Sequence, residues 1–192
     1  FIFNADSIAK FTAFSLQITT KKKLLLNNIN LFYDSDFKDA IKEEWFKQLD
    51  TNISMQPQFV YNHFTKEQMI VVQNDNNKLF AINSKGEQIW SLQIESKIIG
   101  KISSIDAYKN NKYQCLFNTK NQLYLIDRNG RYVDGFPKLL PSSTKIGHAL
   151  FDYNNKKKYR IIIIGENNKI YNLDKKGNKV KGWKYRKNSN RI

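Results

Sequence analysis

Two histidines and one cysteine are the side chains of this 192-residue chain best suited to covalent or metal chemistry: His63, His148 and Cys115. A cysteine nucleophile needs a histidine within hydrogen-bond reach to hold it as thiolate. A zinc site needs three or four such ligands at short, regular spacings. Neither pattern is present. His63 follows Trp45 by 18 residues and His148 follows Phe136 by 12, so the two are not a repeated ligand pair. Cys115 lies in Tyr113-Gln114-Cys115-Leu116-Phe117, which reads as a strand with the cysteine as a small buried hydrophobe. As the single cysteine it excludes an internal disulfide. Asp152-Tyr153-Asn154-Asn155 has the oxygen-rich opening of a calcium loop. Lys156, Lys157 and Lys158 fill the rest of it and would repel a dication, so a lysine-rich hairpin loop is the better reading. No glycine-rich phosphate loop occurs. The expectation is no catalytic residue, no metal and no cofactor.

The net charge of +15 invites a nucleic-acid reading. That reading is disfavoured, because the excess is 27 Lys against 5 Arg, spread along the chain and accompanied by 23 Asn. Abundant Lys, Asn and Ile match the compositional bias of an AT-rich genome, and Arg, which forks phosphates and base edges, is scarce. Binding of a polyanion, lipid headgroup or nucleic acid, through the lysines is retained as an alternative. No run approaches the roughly 18 apolar residues of a membrane helix. The chain opens on Phe1 rather than Met, which predicts a fragment, a processed form or the ordered part of something longer.

The elements that would position any site are legible in Leu79–Trp90, read as strand, tight turn, strand. Asn83-Ser84-Lys85-Gly86 puts glycine at the end of a four-residue turn, and Asp127-Arg128-Asn129-Gly130 and Asp174-Lys175-Lys176-Gly177 repeat the design. The turn glycines are 44 and 47 residues apart, and Trp45, Trp90, Phe136 and Trp183 are separated by 45, 46 and 47. A period in the mid-forties with several short strands per unit is the signature of propeller blades.

The predicted fold is therefore all-β, a β-propeller segment of about three four-stranded blades plus a partial N-terminal blade, part of a larger ring. Residues 1–44 form the partial blade, or the end of a preceding domain, with strands in Phe14–Ile18 and part of Leu24–Tyr33 and a short helix over Ser35–Glu44. Residues 45–185 hold the blades, at about 52–93, 100–138 and 145–184, and 186–192 form a basic tail. The first blade's strands fall in Pro57–Phe64, Gln68–Gln73, Lys78–Asn83 and Gln88–Gln93. Those of the second fall in Lys101–Tyr108, Lys112–Asn118, Gln122–Asp127 and Arg131–Lys138, and those of the third in Ile146–Tyr153, Tyr159–Ile164, Lys169–Asp174 and Lys179–Lys184. Middle strands covered on both faces should be continuously apolar, as Met69–Val72 and Ile161–Ile164 are.

LFAINSKGEQIW (Leu79–Trp90) resembles the PQQ-like, WD40-like propeller repeat, an aliphatic–aromatic pair, an Asx turn with glycine and a strand ending in Trp. Residues 45–185, through FNTKNQLYLIDRNG, ALFDYNNKKKYRI and GWK, are similar to the propeller part of cell-envelope proteins of Bacteroidota. The resemblance implies a non-enzymatic propeller, a scaffold or protein-interaction module in a bacterial envelope, periplasmic or membrane-anchored through parts outside this chain. It implies no reaction and no quinone. A quinone enzyme would need an acidic axial cluster for Ca²⁺, and no such cluster is apparent; an enzymatic or cofactor-binding propeller with its site in blades outside this chain is the other alternative. Protein partners are expected, through loops on the end faces. Phe136, Pro137, Leu139 and Leu140, in the most apolar loop, are the candidate contact residues.

Overall fold

The computed structural model describes residues 13–21, 24–32 and 45–183, and among these every regular element is a β-strand. The helix expected over 35–44 lies outside the described residues, as does the tail from 184 onward. The chain divides into two compact units, Phe1–Glu43 and Glu44–Ile192. In the first, β1 (Ala13–Lys21) and β2 (Leu24–Phe32) form a hairpin in which Lys21 faces Leu24 and Ala13 faces Phe32. These strands are longer than the alternation in Phe14–Ile18 suggested, because pairing carries on through the polar residues at Thr19, Thr20 and Lys21.

The second unit holds three blade-like antiparallel sheets. β3 (Gln58–Asn62), β4 (Glu67–Gln73), β5 (Lys78–Ile82) and β6 (Gln88–Gln93) form the first, in sequence order. β7 (Ile99–Ile105), β8 (Gln114–Asn118), β9 (Gln122–Ile126) and β10 (Lys138–Leu139) form the second, and β11 (Ala149–Phe151), β12 (Arg160–Ile164) and β13 (Ile170–Leu173) the third. Sequence-adjacent strands pair throughout, as tight Asx turns require. Asn83, Asp127 and Asp174 each cap their own turn: Asp127 Oδ1 accepts the Asn129 and Arg131 N–H at 2.8 and 2.9 Å. Asp174 and Asn83 hold the equivalent pairs.

Two expected outer strands are absent in the expected form. Arg131–Lys138 is not one strand: Tyr132 bridges Ile126, a turn follows over Val133–Phe136, and only Lys138 and Leu139 rejoin the sheet. Lys179 likewise bridges Leu173 and no further strand follows within the described residues, so the third sheet has three strands. The cause is local. Gly135 and Gly182 have φ of +80° and +74°, which turn the chain out of extended conformation, whereas β6 has no glycine. Pro137 also withholds an N–H from the ladder.

The sheets bury side chains according to the period-2 alternation of their strands. Leu79 and Ala81 join Val60, Met69, Val71 and Trp90 in one cluster with Cys115, Phe117, Tyr124 and Ile126 of the second sheet. The opposite face of the second sheet, with Leu116, Leu123 and Leu125, packs on Ile161, Ile163 and Leu173 of the third. Phe80, Ile82 and Val72, on the first sheet's other face, are covered by Trp45 and Leu49.

Candidate functional site

The turn glycines are where neighbouring repeats lock together. The Trp45 indole N–H donates to the Ser84 carbonyl at 2.8 Å, and a Cβ on Gly86 would lie 2.7 Å from its ring. Trp90 repeats the contact one unit on, donating to the Arg128 carbonyl at 2.9 Å with its ring 2.7 Å from where a Gly130 Cβ would be. At the third junction an aliphatic ammonium replaces the indole. Lys138 Nζ donates to the Lys176 carbonyl at 3.2 Å and also to Asn178 Oδ1, and its stem lies under Gly177. The step of 38 residues from Trp90 to Arg128 also separates Lys138 from Lys176.

A lysine stem is thinner than an indole, and this third junction is open. A cleft of about 530 Å³ lies between the Val133–Phe136 turn and the turn carrying Lys175 and Lys176. Leu125, Val133, Phe136, Ala107 and Tyr108 form its apolar walls, and Lys138, Lys175 and Lys176 its polar ones. Lys175 Nζ crosses the junction to donate to the Ala107 carbonyl. Asp134 is the one carboxylate on the lining.

The four candidate contact residues do not form one surface. Phe136 lines this cleft and packs against the second interface cluster, where Leu140 packs too. Leu139 is 75% exposed, and Pro137 is exposed without lining the cleft. Sequence reasoning passed over Lys138, Lys175, Lys176 and Tyr108. The shared step of 38 residues was the available signal, hidden because Lys138 does not resemble Trp90 in type.

Polar latches join the repeats elsewhere. Gln73 Oε1 accepts the Ile98 N–H at 2.9 Å, Gln58 Oε1 accepts that of Ile102 at 2.7 Å, and Asn118 Oδ1 accepts that of His148 at 2.8 Å. His148 is buried, with Nδ1 3.2 Å from Asn118 Oδ1 and Nε2 3.0 Å from Ser103 Oγ. Asn118 Oδ1 can only accept, so the proton sits on Nδ1 and Nε2 accepts from Ser103. Burial, with Lys101 nearby, lowers the His148 pKa from 6.5 to about 4. The imidazole is therefore a neutral strut between the second and third repeats. Because the unfolded state takes up its proton first, stability falls as pH drops from about 6.5 to about 4, by up to about 3 kcal/mol from this group. Denaturant unfolding across that range should show the slope in the natural chain, and His148→Gln should remove it.

His63 belongs to a different junction, where its Nδ1 accepts the Tyr113 N–H at 3.1 Å; burial and then Arg128 lower its pKa. Cys115 lies inside the first interface cluster, and burial pushes its thiol up to about 12, far from a working thiolate. The Asp152 carboxylate accepts the Lys157 and Lys158 N–H groups at 2.8 and 3.2 Å, so its oxygens are engaged by its own loop. Among the described residues no group of three or more His, Cys, Asp or Glu is placed to hold a metal ion.

Asp106 occupies the matching position one repeat earlier and is fully buried. It accepts the Asn110 and Asn111 N–H groups at 3.0 and 2.8 Å, and Lys157 Nζ from the third repeat at 2.5 Å. Burial raises its pKa, but the hydrogen bond from Lys157 and the two N–H donors together outweigh this and leave the pKa below the usual value. No protein-family model matches this chain, and no curated protein matches it.

Proposed function

We propose that the three sheets are consecutive blades of a β-propeller and that the chain is a non-enzymatic scaffold for protein partners in a bacterial envelope. The observation that carries this reading is the outer face of the third sheet. The pairing registers place Ile162 where Val71 and Leu116 stand in the first and second sheets. Val71 and Leu116 are buried to within 1% by the following sheet, whereas Ile162 is only half-buried, and on the same face Ile164 and Phe151 are 45% and 41% exposed. A face with the interface pattern and no following sheet among the described residues asks for a further blade. The envelope setting rests on the likeness of residues 45–185, through FNTKNQLYLIDRNG, ALFDYNNKKKYRI and GWK, to envelope propellers.

The test is copurification of the natural protein from native membranes at moderate salt, with partners identified by mass spectrometry. A stoichiometric envelope protein is the expected result, and Leu139→Ser should weaken its capture. A protein that emerges alone would end the scaffold reading.

One observation favours polyanion binding as a second reading. Of the four ion pairs among the described residues, three, Lys97–Asp75, Lys120–Glu166 and Lys145–Glu166, lie on the loops opposite the Asx turns. At the turn end, Lys157–Asp106 is the single pair among the described residues, although Lys85, Lys109, Lys112, Lys156, Lys158, Lys175 and Lys176 all lie there. Binding that collapses steeply with salt would support it, and salt-independent binding would remove it.

A further inference from the structure

We propose that the cleft at the third junction binds a small organic anion, a phosphate ester or carboxylate with an aromatic or aliphatic body. The inference is independent of the scaffold reading. Its first support is a comparison within the molecule. The junctions at Gly86 and Gly130 are closed by the rings of Trp45 and Trp90, whereas no ring stands against Gly177, which meets the stem of Lys138 with a Leu123 methyl beside it. The outer strand is interrupted at the same place, over Val133–Phe136, so the space widens where the Trp is missing. At about 530 Å³ the opening has the size of a small-molecule pocket.

The second support is chemical. Lys138 and Lys175 are held in place by carbonyl and amide oxygens rather than by a carboxylate, so their charges are positioned without being neutralised. An ammonium has three N–H donors; Lys138 uses two and Lys175 one, and each keeps donors for an anion. Lys176 is exposed and has no salt-bridge partner among the described residues. Three ammonium groups against the Asp134 carboxylate select an anion. Leu125, Val133, Phe136 and the Tyr108 ring, 58% exposed at the rim, give an apolar body somewhere to lie.

The experiment is isothermal titration calorimetry of the 192-residue chain with 1-naphthyl phosphate, alongside inorganic phosphate and an acidic peptide. Saturable one-to-one binding of 1-naphthyl phosphate is expected, with inorganic phosphate at least about tenfold weaker because it lacks the apolar body. Lys176→Glu, at an exposed side chain, should weaken the probe about tenfold, and Lys138→Met, which keeps an unbranched stem, should do the same. Lys145→Glu, on the opposite loops, should leave binding unchanged. The proposal is overturned by absent or unsaturable binding, by equal affinity for inorganic phosphate, or by Lys176→Glu and Lys138→Met variants that bind like the natural chain. Binding of the acidic peptide without 1-naphthyl phosphate would also overturn it, assigning the cleft to a protein partner.

Discussion

Trp90→Ala is expected to destabilise the chain by about 3–5 kcal/mol, the loss typical of a buried aromatic truncated where the walls cannot collapse. The ring is 7% exposed in the first interface cluster, beside Cys115, Phe117, Tyr124 and Ile126 of the next sheet. Gly130 cannot move in to fill the space, because its φ of +76° is fixed by the turn that Asp127 caps. Trp90→Phe separates two contributions. It keeps most of the apolar surface but removes the N–H donated to the Arg128 carbonyl, and should cost about 1 kcal/mol beyond the lost packing. Chemical denaturation of the three proteins decides it. Equal stability for the natural chain and Trp90→Ala would mean that the interface between the first two sheets contributes nothing. Gly130→Ala tests the same lock from the other side: the added Cβ meets the indole at 2.7 Å and the backbone is left-handed, so a loss of at least about 1–3 kcal/mol is expected.

Asp106→Ala should cost about 3–5 kcal/mol, because it strands two loop N–H donors and the Lys157 ammonium around a fully buried site. Lys157 is itself partly exposed and can turn toward water, which places the effect at the lower end of that range. Asp106→Asn should be milder, since an amide oxygen still accepts from the loop. The pH dependence gives a separate readout. The folded-state pKa of Asp106 lies below its unfolded value of 3.8, so the stabilisation is fully present above that value and lost as pH falls through the folded pKa. This acid limb lies below the one assigned to His148. Unfolding measured from neutral pH downward in His148→Gln, Asp106→Asn and the double variant should remove each limb in turn.

Much of the second unit could be read from residue type and spacing. Asn83, Asp127 and Asp174 each cap a turn closed by glycine, and those turns fix which strands pair, because a short loop leaves an antiparallel neighbour as its only outcome. The outer strands were misread because Asp134-Gly135 and Lys181-Gly182 look like ordinary strand punctuation in sequence. Only the observed φ values show that they turn the chain out of the sheet. The arrangement of the candidate contact residues was hidden for a related reason. Phe136, Pro137, Leu139 and Leu140 are contiguous in sequence, but the bend sends Phe136 into the cleft and Leu139 to solvent.

The sequence by itself determined the repeat, the turns and the strand character of the described residues, because all of these follow from local residue chemistry and period. Tertiary structure alone decided which residues of different repeats meet: Trp90 with Gly130, His148 with Asn118 and Ser103, Asp106 with Lys157, Lys138 with Gly177. Such contacts span 30 to 51 residues and depend on how one sheet is set against the next, which no local preference encodes. The open third junction is the clearest case. Its space comes from a lysine standing where two earlier junctions have tryptophan, and that equivalence exists only once the sheets are packed.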